Sequence, residues 1–179
     1  DAGGSEIGET SDALKALKKH TSSLDTKGDY TIFLGDNIYP SGMPKKDSDS
    51  RTLAEHRLDV QIAAMKDFNG KTIFIPGNHD WYNKGLQGLK REEEYIEKAL
   101  KDKNAFQPEK GCPIEKINVS DNVVILALDT QWYITDWDKH PTMNDNCEIK
   151  SRNDFILEIE GELKKNGAKT ILIAMHHPA

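Results

Sequence analysis

The chain has 179 residues, with 24 Lys+Arg against 30 Asp+Glu and a net charge of −6. That length suits one domain spanning residues 1–179, with a core that needs no staples, and the acidic balance argues against a nucleic-acid partner, which requires a basic patch. No apolar run approaches the roughly 20 residues of a membrane span, and the first residues show neither the charged n-region nor the apolar h-region of a signal peptide.

In chain order, residues 11–20 place Leu14 and Leu17 on one helical face. Residues 30–34 form a short β-branched run, and residues 51–68 repeat Leu53, Leu58, Ile62 and Met65 at helical spacing. A second apolar run covers 72–75, and a charged helix covers 89–100, where Lys90 to Glu94 reads as a solvated face. Residues 114–119, the turn Asp121-Asn122 and residues 123–128 read as a hairpin. The span 153–165 places Phe155, Ile156, Ile159 and Leu163 inward and meets Gly167 as a C-cap, before a last run at 170–174. The runs are continuous rather than alternating, as in strands buried on both faces. Alternating strands and helices imply an α/β fold with a mixed sheet. Residues 41–50 and 135–150 are too polar for regular elements and read as functional loops. Cys112 and Cys147 have no CxxC partner; they either pair, which points to an oxidising compartment, or are two free thiols.

Three of the strands run into polar clusters at their C-terminal ends: Gly35-Asp36-Asn37-Ile38-Tyr39, Pro76-Gly77-Asn78-His79-Asp80 and Met175-His176-His177-Pro178. Ligands bind at that edge of open α/β sheets. Asp, Asn, His and Tyr supply oxygen and nitrogen donors suited to hard or borderline metals, with no thiolate among them. Two ions about 3.5–4 Å apart stabilise the attacking and leaving oxygens of a displacement at phosphorus.

These blocks resemble the purple acid phosphatases within the calcineurin-like metallophosphoesterases. Gly35 to Tyr39 is similar to their GDxxY motif, and Gly77 to Asp80 matches GNH(D/E). Ile173-Ala174-Met175-His176 resembles VxxH, and Asp1-Ala2-Gly3 resembles GDxG without its leading glycine. The resemblance implies a sandwich of mixed β-sheets flanked by helices and a dinuclear centre of Fe with Fe, Zn or Mn. By it, Asp1 and Tyr39 bind the first ion, Asp36 bridges, and Asn78 and His176 bind the second. His79 is a catalytic residue that does not bind metal, holding a phosphate oxygen or protonating the leaving alkoxide, and Asp80 orients it through its other ring nitrogen. A metal-bound hydroxide attacks a phosphomonoester of a small molecule or protein. The family is often extracytoplasmic. No Gly-His pair exists for its final GHxH block, and Asp1 is the first residue. The expectation is therefore a fragment, incomplete at both ends, that holds metal poorly.

Blander roles stay open beside these. Asp36 is a plausible turn residue, Tyr39 can pack against Pro40, and Asn78 and Asp80 can cap a helix. His176 can be a satisfied core histidine, and His177 either faces substrate or merely adjoins the ligand. Asp129 resembles the family's LDT turn and is read as a loop support. Trp132, Tyr133 and Trp137 either wall a pocket or pack on the sheet edge; His20, His56 and His140 read as surface residues. The rival functions are a phosphodiesterase or pyrophosphatase on the same centre, and a non-catalytic binding module that keeps the fold.

Overall fold

The computed structural model describes residues 2–24, 27–135 and 142–178. Helix α1 (Asp12–Thr21) starts at Ser11, whose side chain accepts from Leu14 N, and ends on Lys18, Lys19 and His20, which suit the negative end of its dipole. Strand β1 (Tyr30–Leu34) pairs in parallel with β2 (Lys71–Ile75), which places Leu34 opposite Ile75 and brings the two following loops side by side. Helix α2 (Arg51–Ala64) connects them. It stops short of the expected residue 68, because Met65 leaves helical geometry and Met65 and Phe68 close tighter turns.

After β2 come the short α3 (Asn78–Trp81) and then α4 (Leu86–Leu100). A 3-10 turn (Glu109–Gly111) leads into β3 (Ile114–Ser120) and β4 (Val123–Leu128), the expected antiparallel hairpin. Helices α5 (Thr130–Ile134) and α6 (Arg152–Lys165) precede β5 (Thr170–Met175), which pairs in parallel with β4. The result is a two-stranded parallel sheet and a three-stranded mixed sheet, β3-β4-β5.

Neighbouring strand residues enter different clusters, as the two-residue side-chain period requires. Phe33, Phe74, Leu126 and Leu128 pack with helical residues such as Leu58, Leu89 and Ile96. Ile73, Ile75, Ile125, Ala127 and Ala174 form a second cluster, so both sheets share one buried face. Burial on both faces explains the unbroken runs of β2 and β4; β1 and β5 depart from that expectation, because Leu34, Leu172 and Ile173 are exposed.

Helix α6 departs from its expected inward set. Phe155 is buried, but Ile156 and Leu163 are exposed, and Asn166 rather than Gly167 caps the helix. The 135–150 loop is anchored, in its described part, by buried Met143 and by a disulfide from Cys147 to Cys112, with Cα atoms 5.4 Å apart. Trp132 is fully buried in the core and Tyr133 packs on Phe155; Trp137 and His140 lie outside the described residues.

Candidate metal centre

The loops after β1 and β2 touch backbone to backbone, and glycine makes that approach possible. Gly35 takes φ +86, and a Cβ there would strike Gly77 and His176; a Cβ on Gly77 would strike Asp36. Asp36 follows at φ +53, a left-handed conformation that Asp tolerates better than most residues.

Each loop then supplies a carboxylate to the other. Asp36 Oδ1 accepts from His79 N at 3.0 Å. In return Asp80 accepts from Asn37 N at 2.9 Å and Ile38 N at 3.1 Å, as well as from Gly77 N at 2.8 Å within its own loop. Asn37 extends the lock: its side-chain amide donates to Ile75 O, Asp80 and Glu92, and its carbonyl accepts from Gln61. Behind Tyr39, Arg57 donates to the carbonyls of Ser5 and Tyr39.

The two oxygens of Asp36 face different donors. Tyr39 OH donates to Oδ2 at 2.8 Å, whereas His176 Nε2 stands 3.4 Å from Oδ1. His176 Nε2 is also 3.1 Å from Asn78 Oδ1. The other ring nitrogen, Nδ1, lies 2.8 Å from Leu34 O. A carbonyl can only accept, so Nδ1 carries the proton and Nε2 of the neutral ring presents a lone pair. The Asn78 amide is oriented likewise: its Nδ2 donates to Tyr82 OH at 2.6 Å, which turns Oδ1 inward. Three electron-rich atoms therefore converge, an arrangement that a cation satisfies.

His79 lies between the rings of Tyr39 and Tyr82, with centroids 4.3 and 4.9 Å away. Its Nδ1 hydrogen-bonds Pro40 O at 2.6 Å, leaving Nε2 3.9 Å from Asp36 Oδ2. This corrects the expectation for Asp80. The Pro40 carbonyl, not Asp80, orients His79, because the Asp80 carboxylate is fully buried and taken up by loop N–H groups. Burial raises its pKa to about 6 despite those donors. Tyr39 is pushed up to about 12 by burial and by its hydrogen bond to Asp36.

His177 Nδ1 lies 2.7 Å from Thr130 Oγ1, and burial followed by the neighbouring His176 lowers its pKa. Asp129 caps α5 through Trp132 N and accepts from Trp81 Nε1 at 2.9 Å, a supporting role. Asp1 lies outside the described residues; nearby, Gly3 N donates to Asp36 O at 3.1 Å and Gly3 O accepts from Tyr39 N at 3.0 Å.

Asp36, Tyr39, Asn78, His79 and His176 thus share one edge, separated from Asp80, which lies beneath it. Among the described residues no three His, Cys, Asp or Glu side chains form a metal-holding group. The donors gathered here include a phenol and an amide, residue types outside that set. All are oxygen or nitrogen, and they fit hard or borderline ions. A cleft of about 700 Å³, lined by Tyr82, Lys84, Gln131 and Ile134, opens on the Tyr82 side.

Asn37, Tyr82, Pro40, Thr130 and Glu92 escaped the reading of the sequence. For Glu92 a signal existed: it shares the helical stripe of Leu89 and Ile96. Glu92 and Glu93 are both buried, so Lys90 to Glu94 is not simply a solvated face.

No helix among the described residues is long and apolar enough to cross a membrane. No curated protein and no solved structure matches the chain. Residues 5–179 match the calcineurin-like phosphoesterase family, whose members hydrolyse phosphoesters with metal ions, typically two. The chain belongs to that family.

Proposed function

We propose that the chain carries the catalytic centre of a purple-acid-phosphatase-like phosphomonoesterase with two metal ions, Fe with Fe, Zn or Mn. The observation that carries this reading is Asp36, whose carboxylate oxygens face Tyr39 on one side and His176 with Asn78 on the other. A carboxylate so flanked suits a bridge. Tyr39, with Asp1, would hold one ion, and Asn78 with His176 the other. When bound, the ions would activate water and neutralise charge on the phosphoryl group.

The chain's own part is proton handling and orientation. With Nδ1–H committed to Pro40 O, His79 would deliver a proton from Nε2 to the departing alkoxide. The flanking rings of Tyr39 and Tyr82 restrict its swing. Tyr39 would give up the proton it shares with Asp36 to act as a phenolate donor. His177, fixed by Thr130, would contact a phosphate oxygen. The acidic net charge disfavours nucleic-acid substrates, and the Cys112–Cys147 disulfide supports an extracytoplasmic location.

A second reading, diester hydrolysis, draws on the cleft beside Tyr82, which has room for a second ester substituent. Profiling 4-nitrophenyl phosphate against bis(4-nitrophenyl) phosphate and pyrophosphate, with metal analysis, separates the readings. Monoester preference is expected; faster diester turnover would replace the first reading with the second. Asp36→Ala should lose activity and both metals together. In an iron-loaded protein, Tyr39→Phe should lose its visible charge-transfer band.

A further inference from the structure

Residues 2–9 form no helix or strand, yet they dock on the loop that follows β1. Gly3 N donates to Asp36 O at 3.1 Å, and Gly3 O accepts from Tyr39 N at 3.0 Å. The approach is close: a Cβ on Gly3 would lie 2.3 Å from the Asn37 carbonyl. Two backbone bonds are little to hold a segment that has no structure of its own.

A further tie comes from α2. Arg57 is only 5% exposed, and its guanidinium reaches both chain segments. Nε donates to Ser5 O at 3.0 Å and Nη2 to Glu6 Oε1 at 2.8 Å, while Nη1 donates to Tyr39 O. One turn on, Gln61 Nε2 donates to Asn37 O and to Arg57 O, both at 2.8 Å, which fastens the helix to the same loop. A buried cation needs such partners. The planar fork of arginine meets all of them at fixed angles, whereas a lysine ammonium is a single point of charge. The consequence falls on Tyr39. Its N–H is held by Gly3 O and its carbonyl by Arg57, so the peptide planes on either side of it are fixed while its hydroxyl donates to Asp36 Oδ2.

We propose that Arg57 is a positioning residue of the centre, whose fork ties the segment before α1 to the Asp36–Tyr39 loop and so fixes the direction of the Tyr39 phenol. It rests on the reading above in that Tyr39 is taken to hold an ion.

The test uses Arg57→Lys, which keeps the charge and loses the fork, and Gly3→Ala, which pushes the segment off the loop from the other side. Leu58→Val, a core change on the same helix, is the control for stability alone. In the metal-free full chain, nitrogen-15 spectra in mildly alkaline buffer should show the Arg57 Nε–H as a persistent signal, protected by Ser5 O, and Gly3→Ala should abolish it. At saturating iron, the visible band that Tyr39→Phe removes should shift or weaken in Arg57→Lys. The iron needed for half-saturation should rise by at least about 10-fold, as when a hydrogen bond to a charged group is lost. Leu58→Val should keep both at wild-type values. An Arg57→Lys protein with an unchanged band overturns the proposal, as does an equal loss in Leu58→Val, which would reduce Arg57 to a prop of the helix. If Arg57→Lys fails to fold, Gly3→Ala decides: an Nε–H signal that survives in it shows that the segment and the fork are not coupled. A wild-type protein without any band, but with the protected Nε–H and its loss in Gly3→Ala, would sink the ion at Tyr39 and leave the tie standing.

Discussion

The donors at this edge come from two regions built in different ways. Asp36, Tyr39 and Asn78 sit on loops locked from behind, with Asp80 fully buried beneath them and backbone N–H groups exchanged between the loops. His176 and His177 follow β5, the end strand of its sheet, where Leu172 is 51% and Ile173 47% exposed. Their rings are fixed by few bonds, His176 by Leu34 O and His177 by Thr130. The difference teaches where rigidity is spent. In the proposed centre a bridging carboxylate would have to satisfy two partners at once and would tolerate little error, whereas a histidine held by one bond could adjust around it.

The hardest blow to this contrast would fall on Asp80. Asp80→Ala strands three buried backbone N–H groups and part of the Asn37 amide. Each unsatisfied donor costs about 1–3 kcal/mol, so urea unfolding should show a loss of more than about 3 kcal/mol, with metal content falling alongside. Thr130→Ala, on the histidine side, should cost well under that. If the two variants unfold alike, the locked-loop picture is wrong.

His79 tests whether a residue on the locked loops can act without holding metal. Its backbone is tied to Asp36, yet its ring is bound to Pro40 O. His79→Ala should keep its metals and lose about 10²–10⁴-fold in turnover, and the deficit should shrink for substrates with good leaving groups. Loss of metal would make His79 a ligand.

Much of this architecture was legible in the residues. The strand runs and the loops carrying Asp36, Asn78 and His176 follow from β-branched stretches that end in polar clusters; the run of β2 is unbroken because both faces are buried, whereas β1 and β5 keep apolar residues that are exposed. What escaped is nearly all second-layer chemistry. The partner of His79 is a backbone carbonyl, which residue identity cannot announce. Asp80 was assigned to the wrong partner, because adjacency in a motif says nothing about which way a carboxylate turns in a tight helical start. Glu92 was hidden by its charge: polarity suggested solvent, while its place in the Leu89–Ile96 stripe put it inside. The Cys112–Cys147 pair joins loops that sequence periodicity does not order, so only the fold could close it.

A smaller effect, readable in pH, comes from Asp129, which supports the floor between the two regions. Burial raises its pKa from 3.8 to about 7 although Trp132 N and Trp81 Nε1 donate to it. The folded protein therefore holds a proton that the unfolded chain releases near the ordinary value. The stability this group contributes is full below about pH 4 and is lost as pH rises through about 7. Unfolding midpoints measured across that window should fall for wild type, with a flatter slope in Asp129→Asn. An unchanged slope would mean that Asp129 is ionised throughout.

The finest test lies at the seam between the regions, where Asn78 of the locked loop meets His176 of the looser one. Tyr82 is 55% exposed, so it contributes little to the core. Yet its hydroxyl accepts from Asn78 Nδ2 at 2.6 Å and so selects which end of the amide faces His176. Tyr82→Phe keeps the ring beside His79 and removes only that acceptor. The amide is then free to turn, and a hydrogen bond of this kind is worth about 0.5–1.5 kcal/mol. Zinc binding at the Asn78–His176 position should therefore weaken by roughly 2- to 10-fold, with the melting temperature almost unmoved. At saturating metal, turnover should return close to wild type, because the variant alters how often the amide is correctly turned and not what it does once turned. An unchanged zinc titration would show that the Tyr82 hydroxyl does not select the orientation of Asn78, and that the locked loop does not set the seam through it.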